Sequence, residues 1–258
     1  MNILKYPIIF VGSSFIDFMV TIGGIFLLFF QIMKNIFKSS YKDNVRELYN
    51  TGVKSLPIVF MTGVFVGVIM VIQTGFYVRE YNIAQILGWG VGFTGFREVA
   101  PLMVGLMFSG RIGAQNSAEL GTMKITDQID ALKILAIDPI SFLIVPRFIG
   151  IIVMITVLTV IADFMTIVSG LFVGKFLIGV SYSTYLNSFF DYIKIEDFTT
   201  GLTKSFIFGI MIAVVSSYYG LKSHRSSKIV GKMVNKSVVW TATGIFLLDF
   251  ILTFIFEH

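Results

Sequence analysis

Five ionisable residues stand inside otherwise apolar runs of this chain. Arg97-Glu98 opens a run that ends near Ala114, and Arg111 lies near its far end. Asp163 sits in the middle of the run 148–174, and Asp249 lies within 237–256. A charge in hydrocarbon is costly, so such residues are candidates for a binding or transport path and need a partner or a wet cavity. An arginine at a membrane interface offers a planar fork of donors that fits a phosphate. Glu98 can hold that arginine or line a polar entrance. The bland reading is a structural Arg97–Glu98 pair, or Arg97 snorkelling to the interface. Arg97 and Asp249 fall at similar depth, so the two are expected to approach across the bundle. The sequence names no partner for Asp163. Arg111, near the inner face, is expected to meet headgroups or Glu119. Gln73, Tyr77 and Tyr81 recur at i, i+4 and i+8, and present a polar-aromatic stripe either to a lipid headgroup or to the interfacial aromatic belt.

The other chemically distinct stretch is Ser109 to Arg147, which carries Glu119, Asp127, Asp130 and Asp138. Thr126 is expected to cap a short helix over 125–136, with Asp127 and Asp130 in its first turn, where the helix dipole favours acids. Lys133 falls near its far end, and Asp138-Pro139 stops it. Ile125, Ile129, Leu132 and Ala136 recur at helical spacing, leaving Gln128 and the carboxylates on the opposite face. Such a helix suits docking on a soluble partner, or rests on lipid headgroups.

The elements that must position these residues are membrane helices. Of 258 residues 55% are hydrophobic and only 14% charged, against roughly 25% charged in soluble domains. The absence of cysteine excludes disulfides, thiolate metal sites and cysteine nucleophiles. His224 and His258 offer little for a histidine metal site. A span needs about 20 apolar residues, and 57–78, 92–114, 148–174, 205–221 and 237–256 qualify. Lys34, Lys38, Lys42, Arg46 and Lys54 precede the first span, and 222–236 is basic without a single acid. The positive-inside rule puts both segments, and with them the 119–147 loop, in the cytoplasm, with the C-terminus outside. The run 8–31 contains Asp17 and several glycines, and is either a sixth span or a helix embedded in the inner leaflet. Gly63-x-x-x-Gly67 and Gly170-x-x-x-Gly174 permit close helix packing. Residues 90–95 fit GxGxxG but follow no strand, and no GxxxxGK[ST] is present, so a P-loop nucleotide site would have to come from another polypeptide. No catalytic triad or paired-carboxylate cleft is apparent, which disfavours an enzyme.

The stretch AELGTMKITDQIDALKILAIDPISFLIVPR resembles the signature of the MlaE/YrbE permease family, the membrane subunits of lipid-trafficking ABC transporters. The preceding FREVAPLMVGLMFSGRIGA is similar to that family's "RELxPVLxxLLxAGRxGA", and Asp249 with Phe250-Ile251-Leu252-Thr253 resembles its "DFxLT". The likeness runs from about Tyr49 to the end. It implies one all-α permease domain over 1–258. Residues 1–48 would form an embedded helix and basic linker, and 49–258 a core of about five spans with a coupling loop at 115–147. It further implies a homodimer in a bacterial inner membrane that moves phospholipid to or from an MCE-domain oligomer on the outer face, in maintenance of outer-membrane lipid asymmetry. A dimer of cytoplasmic ATPases would bind ATP and Mg²⁺, with no cofactor in this chain. Carried onto these positions, the resemblance places the Arg97-Glu98 pair near the family's lipid cavity, and Gln73, Tyr77, Tyr81 and Asp249, read from their spacing and depth, are expected to complete that lipid pocket. Glu119, Thr126, Asp127, Gln128, Asp130 and Asp138 become the ATPase contacts. The chain departs from the family where a Gly-rich "GGxxGVGxxTT" is usual. From Ser223 to Lys232 only Val230-Gly231 survives, amid much more positive charge, and this run is read either as an ATPase contact or as a contact with anionic headgroups. The rival reading is an ion-coupled secondary transporter that uses Asp163 and Asp249 without an ATPase.

Overall fold

The computed structural model describes residues 5–38, 41–223 and 226–257. His224 and Arg225 of the basic loop, and His258, lie outside the described residues. Eleven α-helices are present among those described, with no strand. They are α1 (Lys5–Asn35), α2 (Tyr41–Gly52), α3 (Leu56–Tyr81), α4 (Leu87–Thr94), α5 (Ala100–Phe108), α6 (Ala114–Ile125), α7 (Gln128–Ile134), α8 (Val145–Val173), α9 (Tyr182–Tyr192), α10 (Ile195–Leu221) and α11 (Ser227–Glu257). Six helical runs are long and apolar enough to cross a membrane: Phe15–Lys38, Asp43–Tyr81, Ala84–Ile125, Ile140–Ile178, Ile195–Leu221 and Lys228–Phe256. The five expected core spans are among them. The N-terminal run is the sixth.

All five core runs start earlier than hydropathy indicates. The second is one continuous helical path, α4–α5–α6, joined by wide π turns at Gly95–Val99 and Ser109–Gly113. Pro101 explains the first turn, and Pro146 a third at Ile140–Ile144. The proline ring displaces the carbonyl one turn back, and the helix widens to absorb it. The α10 run begins at Ile195, ten residues before the expected start. The Asp197 carboxylate accepts the Lys194 backbone N–H at 3.0 Å and fixes its first turn.

The central pair is α3 on α8, and small residues set its spacing. Gly63 lies against the backbone of Ala162, and Gly67 against the Thr166 carbonyl and Ser169. The Thr166 hydroxyl crosses between the helices to the Gly63 carbonyl at 3.1 Å. Lipid is as apolar as a leucine side chain, so close packing of this kind holds membrane helices together where burial alone does not. Helix α10 runs through the core, touching α8 through Thr159 and Ser205 at 2.9 Å, with Phe208 and Ile212 fully buried. Phe60, Phe65, Phe76, Phe164, Phe246 and Phe250 point outward.

Helices α6 and α7 emerge at one end of the bundle, and α9 closes the other. At the α6–α7 end, Gly24 of α1 fits against the Tyr218 ring and Phe18 packs on Trp240, with ring centroids 5.4 Å apart. Gly244 of α11 faces Met211 of α10, so in the antiparallel register Trp240 lies about one turn deeper than Tyr218. Six residues of α1 advance about 9 Å along its axis while descending only about half of that. Helix α1 leans across the end of α10.

Candidate functional site

Lys204 of α10 is the centre of the site. It is fully buried at 0% exposure, and its ammonium touches Glu98 Oε2 at 2.5 Å, Thr253 Oγ1 at 2.7 Å and Asp249 Oδ1 at 3.2 Å. Thr253 lies one turn after Asp249, and its hydroxyl returns to the Asp249 carbonyl at 2.8 Å. The π turn at Gly95–Val99 aims its two charged side chains in different directions. Glu98 reaches Lys204, while the Arg97 guanidinium lies 3.6 Å from Asp197 and 5.0 Å over the Phe93 ring. Arg97 Nε is buried without a hydrogen bond among the described residues. Asp197 thus serves twice, one oxygen capping α10 and the other facing Arg97.

This corrects the expected approach of Arg97 to Asp249: Lys204 takes Asp249, and Asp197 takes Arg97. It also sets aside a mutual Arg97–Glu98 pair. Lys204, Thr253 and Asp197 are functional candidates that the sequence reading missed. A usable signal was present, since Glu196-Asp197 are acids suited to a first turn, and a helix started there carries Lys204 inside the span. Gln73, Tyr77 and Tyr81 are exposed along one face of α3. Helix α3 packs on α8, α4 and α5, whereas α11 packs on α10, α6 and α5. One copy of the chain therefore does not bring that stripe to Asp249.

Asp163 is 2% exposed, and neither carboxylate oxygen has a hydrogen-bond partner among the described residues. An unpaired buried charge is expensive, whereas an amide of the same shape carries none. Asp163→Asn is expected to leave the unfolding midpoint in detergent unchanged or to raise it. A fall of several degrees would reveal a partner that needs the carboxylate.

The loop end differs in detail from the expected helix over 125–136. Thr126 does not cap α7. Its hydroxyl donates back to the Thr122 carbonyl at 2.9 Å, closing α6. Asp127 stands between the two helices with φ 58°, and its side chain caps nothing. Gln128 begins α7 and is exposed. Asp130 is pinned by Lys124 at 2.9 Å and Lys133 at 3.0 Å, and hydrogen bonds from these two ammonium groups hold its carboxyl below the usual range. Asp138 is spent locally, accepting the backbone N–H groups of Ile140 and Ser141 at 3.2 Å each as the cap of the following helix. Glu119 faces Arg147 at 3.1 Å and accepts from Gln115 at 2.8 Å. Arg111 bonds the Ser55 hydroxyl instead of Glu119. Of the six expected contacts, Asp127 and Gln128 are thus the exposed polar groups whose side chains are least committed.

The apolar face also shifts. Ile129 points inward at 3% exposure, while Ile134 and Leu135 stand out at 86% and 68%. The chain leaves α7 through Ala136 at φ 58°, with the Ile137 N–H reaching the Leu132 carbonyl at 2.9 Å. This Schellman geometry on a non-glycine residue turns Ile134 and Leu135 away from the bundle. The result is an apolar tip flanked by pinned charges.

The family described as "Permease MlaE" matches residues 44–255. The chain is 34% identical over 252 residues to a "Probable ABC transporter permease protein" of Rickettsia felis, covering 95% of this chain and 96% of that protein. It is 31% identical over 214 residues to a protein of the same description from Synechocystis, covering 83% and 81%. It is 30% identical over 231 residues to "Protein TRIGALACTOSYLDIACYLGLYCEROL 1, chloroplastic" of Arabidopsis thaliana, covering 88% and 65%. With six spanning-length helices and a family match over four fifths of its length, this chain belongs to the MlaE family of ABC transporter permeases.

Proposed function

We propose that the chain is the membrane subunit of an ATP-driven phospholipid transporter of a bacterial inner membrane, working as a homodimer with two cytoplasmic ATPases and an outer MCE-domain oligomer. The observation that carries this reading is the apolar tip of Ile134 and Leu135, presented on a short, pinned helix between two spans. It lies at the end of the bundle that the positive-inside rule assigns to the cytoplasm, with the C-terminus on the outer side. The chain has no GxxxxGK[ST] of its own, so ATP and Mg²⁺ belong to the partner. ATP-driven closure of the ATPases would push on α7, and Glu119–Arg147 would pass the motion to α6 and α8 as a rigid-body shift.

The lipid would bind where charge meets the apolar wall. Arg97, whose guanidinium is partly exposed and only loosely held by Asp197, has donors to give a headgroup phosphate. Glu98 and Asp249 line the same place and suit the cationic part of a zwitterionic headgroup. The Gln73–Tyr77–Tyr81 stripe would join them across the cavity between two copies. The lean of α1 across the end of α10 supports a helix embedded in the inner leaflet.

Affinity purification of the tagged chain from its native membrane tests the reading. A P-loop ATPase and an MCE-domain protein are expected to co-purify, and Ile134→Glu with Leu135→Glu is expected to release the ATPase while the chain stays folded. Reversing Asp127 to lysine should weaken the same contact less. Purification of the chain alone, under conditions that preserve membrane complexes, would overturn the proposal.

A further inference from the structure

We infer that the outer face of α11 carrying Lys228, Lys232 and Lys236 binds the headgroups of anionic phospholipids in the leaflet at the α6–α7 end. The three lysines recur at i, i+4 and i+8, so they share one side of the helix. All three are exposed, while Val230, Ser237 and Thr241 on the opposite side are buried. The lysine side continues along the helix as Val239, Thr243, Phe246 and Phe250, all exposed. One continuous face is therefore apolar where it meets acyl chains and cationic where it leaves them.

Depth places the change of character at the headgroups. Gly244 lies opposite Met211, so Leu221, where α10 ends, falls opposite Val234. Lys236 stands level with the last turn of α10, and Lys228 lies about 12 Å further out along the axis. The headgroup layer on each side of the hydrocarbon is roughly 5–8 Å thick, within reach of lysine stems that run along apolar surface and lift their ammonium groups outward. The charge is uncommitted. Lys124, Lys133 and Lys204 each pair with an acid, whereas among the described residues no carboxylate pairs with Lys228, Lys232 or Lys236. An acidic protein is the weaker fit, because it would have to approach along a face that bilayer lipid already borders.

The test reads lipid contact directly and involves no ATP hydrolysis or transport, so its outcome is separable from that of the transporter reading. Trp240 is next to Val239 on this helix, and Trp89→Phe leaves it as the single tryptophan. The chain is reconstituted in phosphatidylcholine–phosphatidylglycerol bilayers in which one lipid or the other carries brominated acyl chains. Brominated phosphatidylglycerol is expected to quench Trp240 at a several-fold lower share of the bilayer than brominated phosphatidylcholine, with the preference weakening in high salt. In K228Q/K232Q/K236Q the preference is expected to fall to near equality of the two lipids, and the corresponding triple arginine variant should keep it. Equal quenching by the two lipids in the W89F chain would overturn the inference and leave the stripe to an acidic protein, and a preference that survives the glutamine variant would overturn it as well. If the glutamine variant does not fold, the lipid comparison and its salt dependence in the W89F chain still decide.

Discussion

Lys204→Met is expected to destabilise the chain by about 3 kcal/mol, near the lower end of what breaking a buried ion pair costs. The reason is what the substitution leaves behind. Lys204 is the cation between Glu98 and Asp249, and without it two carboxylates face each other beside an apolar wall. The figure stays at the lower end because the Glu98 and Asp249 side chains are 31% and 19% exposed, so neither carboxylate is fully buried. Hydrogen bonds between membrane helices are also individually modest, averaging about 0.6 kcal/mol, so the loss of the Thr253 contact adds little. The measurement is the unfolding free energy of the purified chain in mild detergent. The informative companion is K204M/E98Q/D249N, which removes all three charges together. It is expected to recover most of the lost stability, since replacing a whole buried ionic group by neutral residues is often close to neutral. Lipid transfer should not recover with it if these charges meet the headgroup. Recovery of both would make the cluster a structural fastener only, and failure to recover stability would place another partner at Lys204.

The history of this site in the sequence shows where reading stops. Arg97, Glu98 and Asp249 are visible because they interrupt apolar runs, and Asp163 for the same reason. Lys204 is hidden by its neighbours. It lies between Thr203 and Ser205, at the edge of the apolar stretch 205–221, where hydropathy cannot tell a loop lysine from a buried one. Only the capped start of α10 at Asp197 moves the boundary outward and Lys204 inward. The pairing pattern was beyond reach for a different reason. Two consecutive residues, Arg97 and Glu98, reach partners two turns apart on α10, Asp197 and Lys204, because a π turn alters the angle between them, and the turn is forced by Pro101, further along the chain.

The loop end was legible in kind and wrong in register. A short helix with an apolar side and pinned acids does lie between two spans, yet it starts at Gln128 and not at Thr126. The sequence pattern of Thr126 before two acids is a good cap signal, but Thr126 continues α6 instead. Asp127 can adopt a left-handed backbone at modest cost because its short polar side chain tolerates it, and this allows the break to fall one residue later. Ala136 makes the second left-handed step without that help, and that step exposes Ile134 and Leu135. A repeat of 3.6 residues carried through 125–136 assumes a helix that has already ended at Ile134, so it assigns the wrong face to its last residues.

Gly67→Ala is expected to cost about 2–3 kcal/mol, in the range of overpacking a close-packed core. A β-carbon at this position would lie 2.1 Å from Ser169 Oγ and 2.3 Å from the Thr166 carbonyl oxygen. The serine can rotate away, but the carbonyl belongs to the backbone of α8 and cannot. Helix α3 must therefore move outward locally by about an ångström to restore ordinary contact distances near 3.3–3.6 Å, which stretches the Thr166–Gly63 hydrogen bond beyond its 3.1 Å. Gly23→Ala is the matched control, since nothing lies within 4 Å of its would-be β-carbon and alanine in a helix interior is favoured over glycine by about 0.5–1 kcal/mol. The coupling between the two glycines of the motif is the sharper expectation. Gly63→Ala alone brings a β-carbon to 2.6 Å from the Ala162 carbonyl, one turn along the same seam. Once one alanine has displaced α3, the second meets a gap already partly opened, so the double variant should lose less than the sum of the two single losses by about 1 kcal/mol, within the range seen for residues that share a backbone shift. Additive losses in a double-mutant cycle, read from unfolding in mixed detergent, would mean that α3 bends separately at each glycine. A sub-additive result would mean that α3 and α8 meet as two stiff rods. In the proposed mechanism, that stiffness is what a push from α7 at one end needs in order to reach Glu98 and Lys204 at the other.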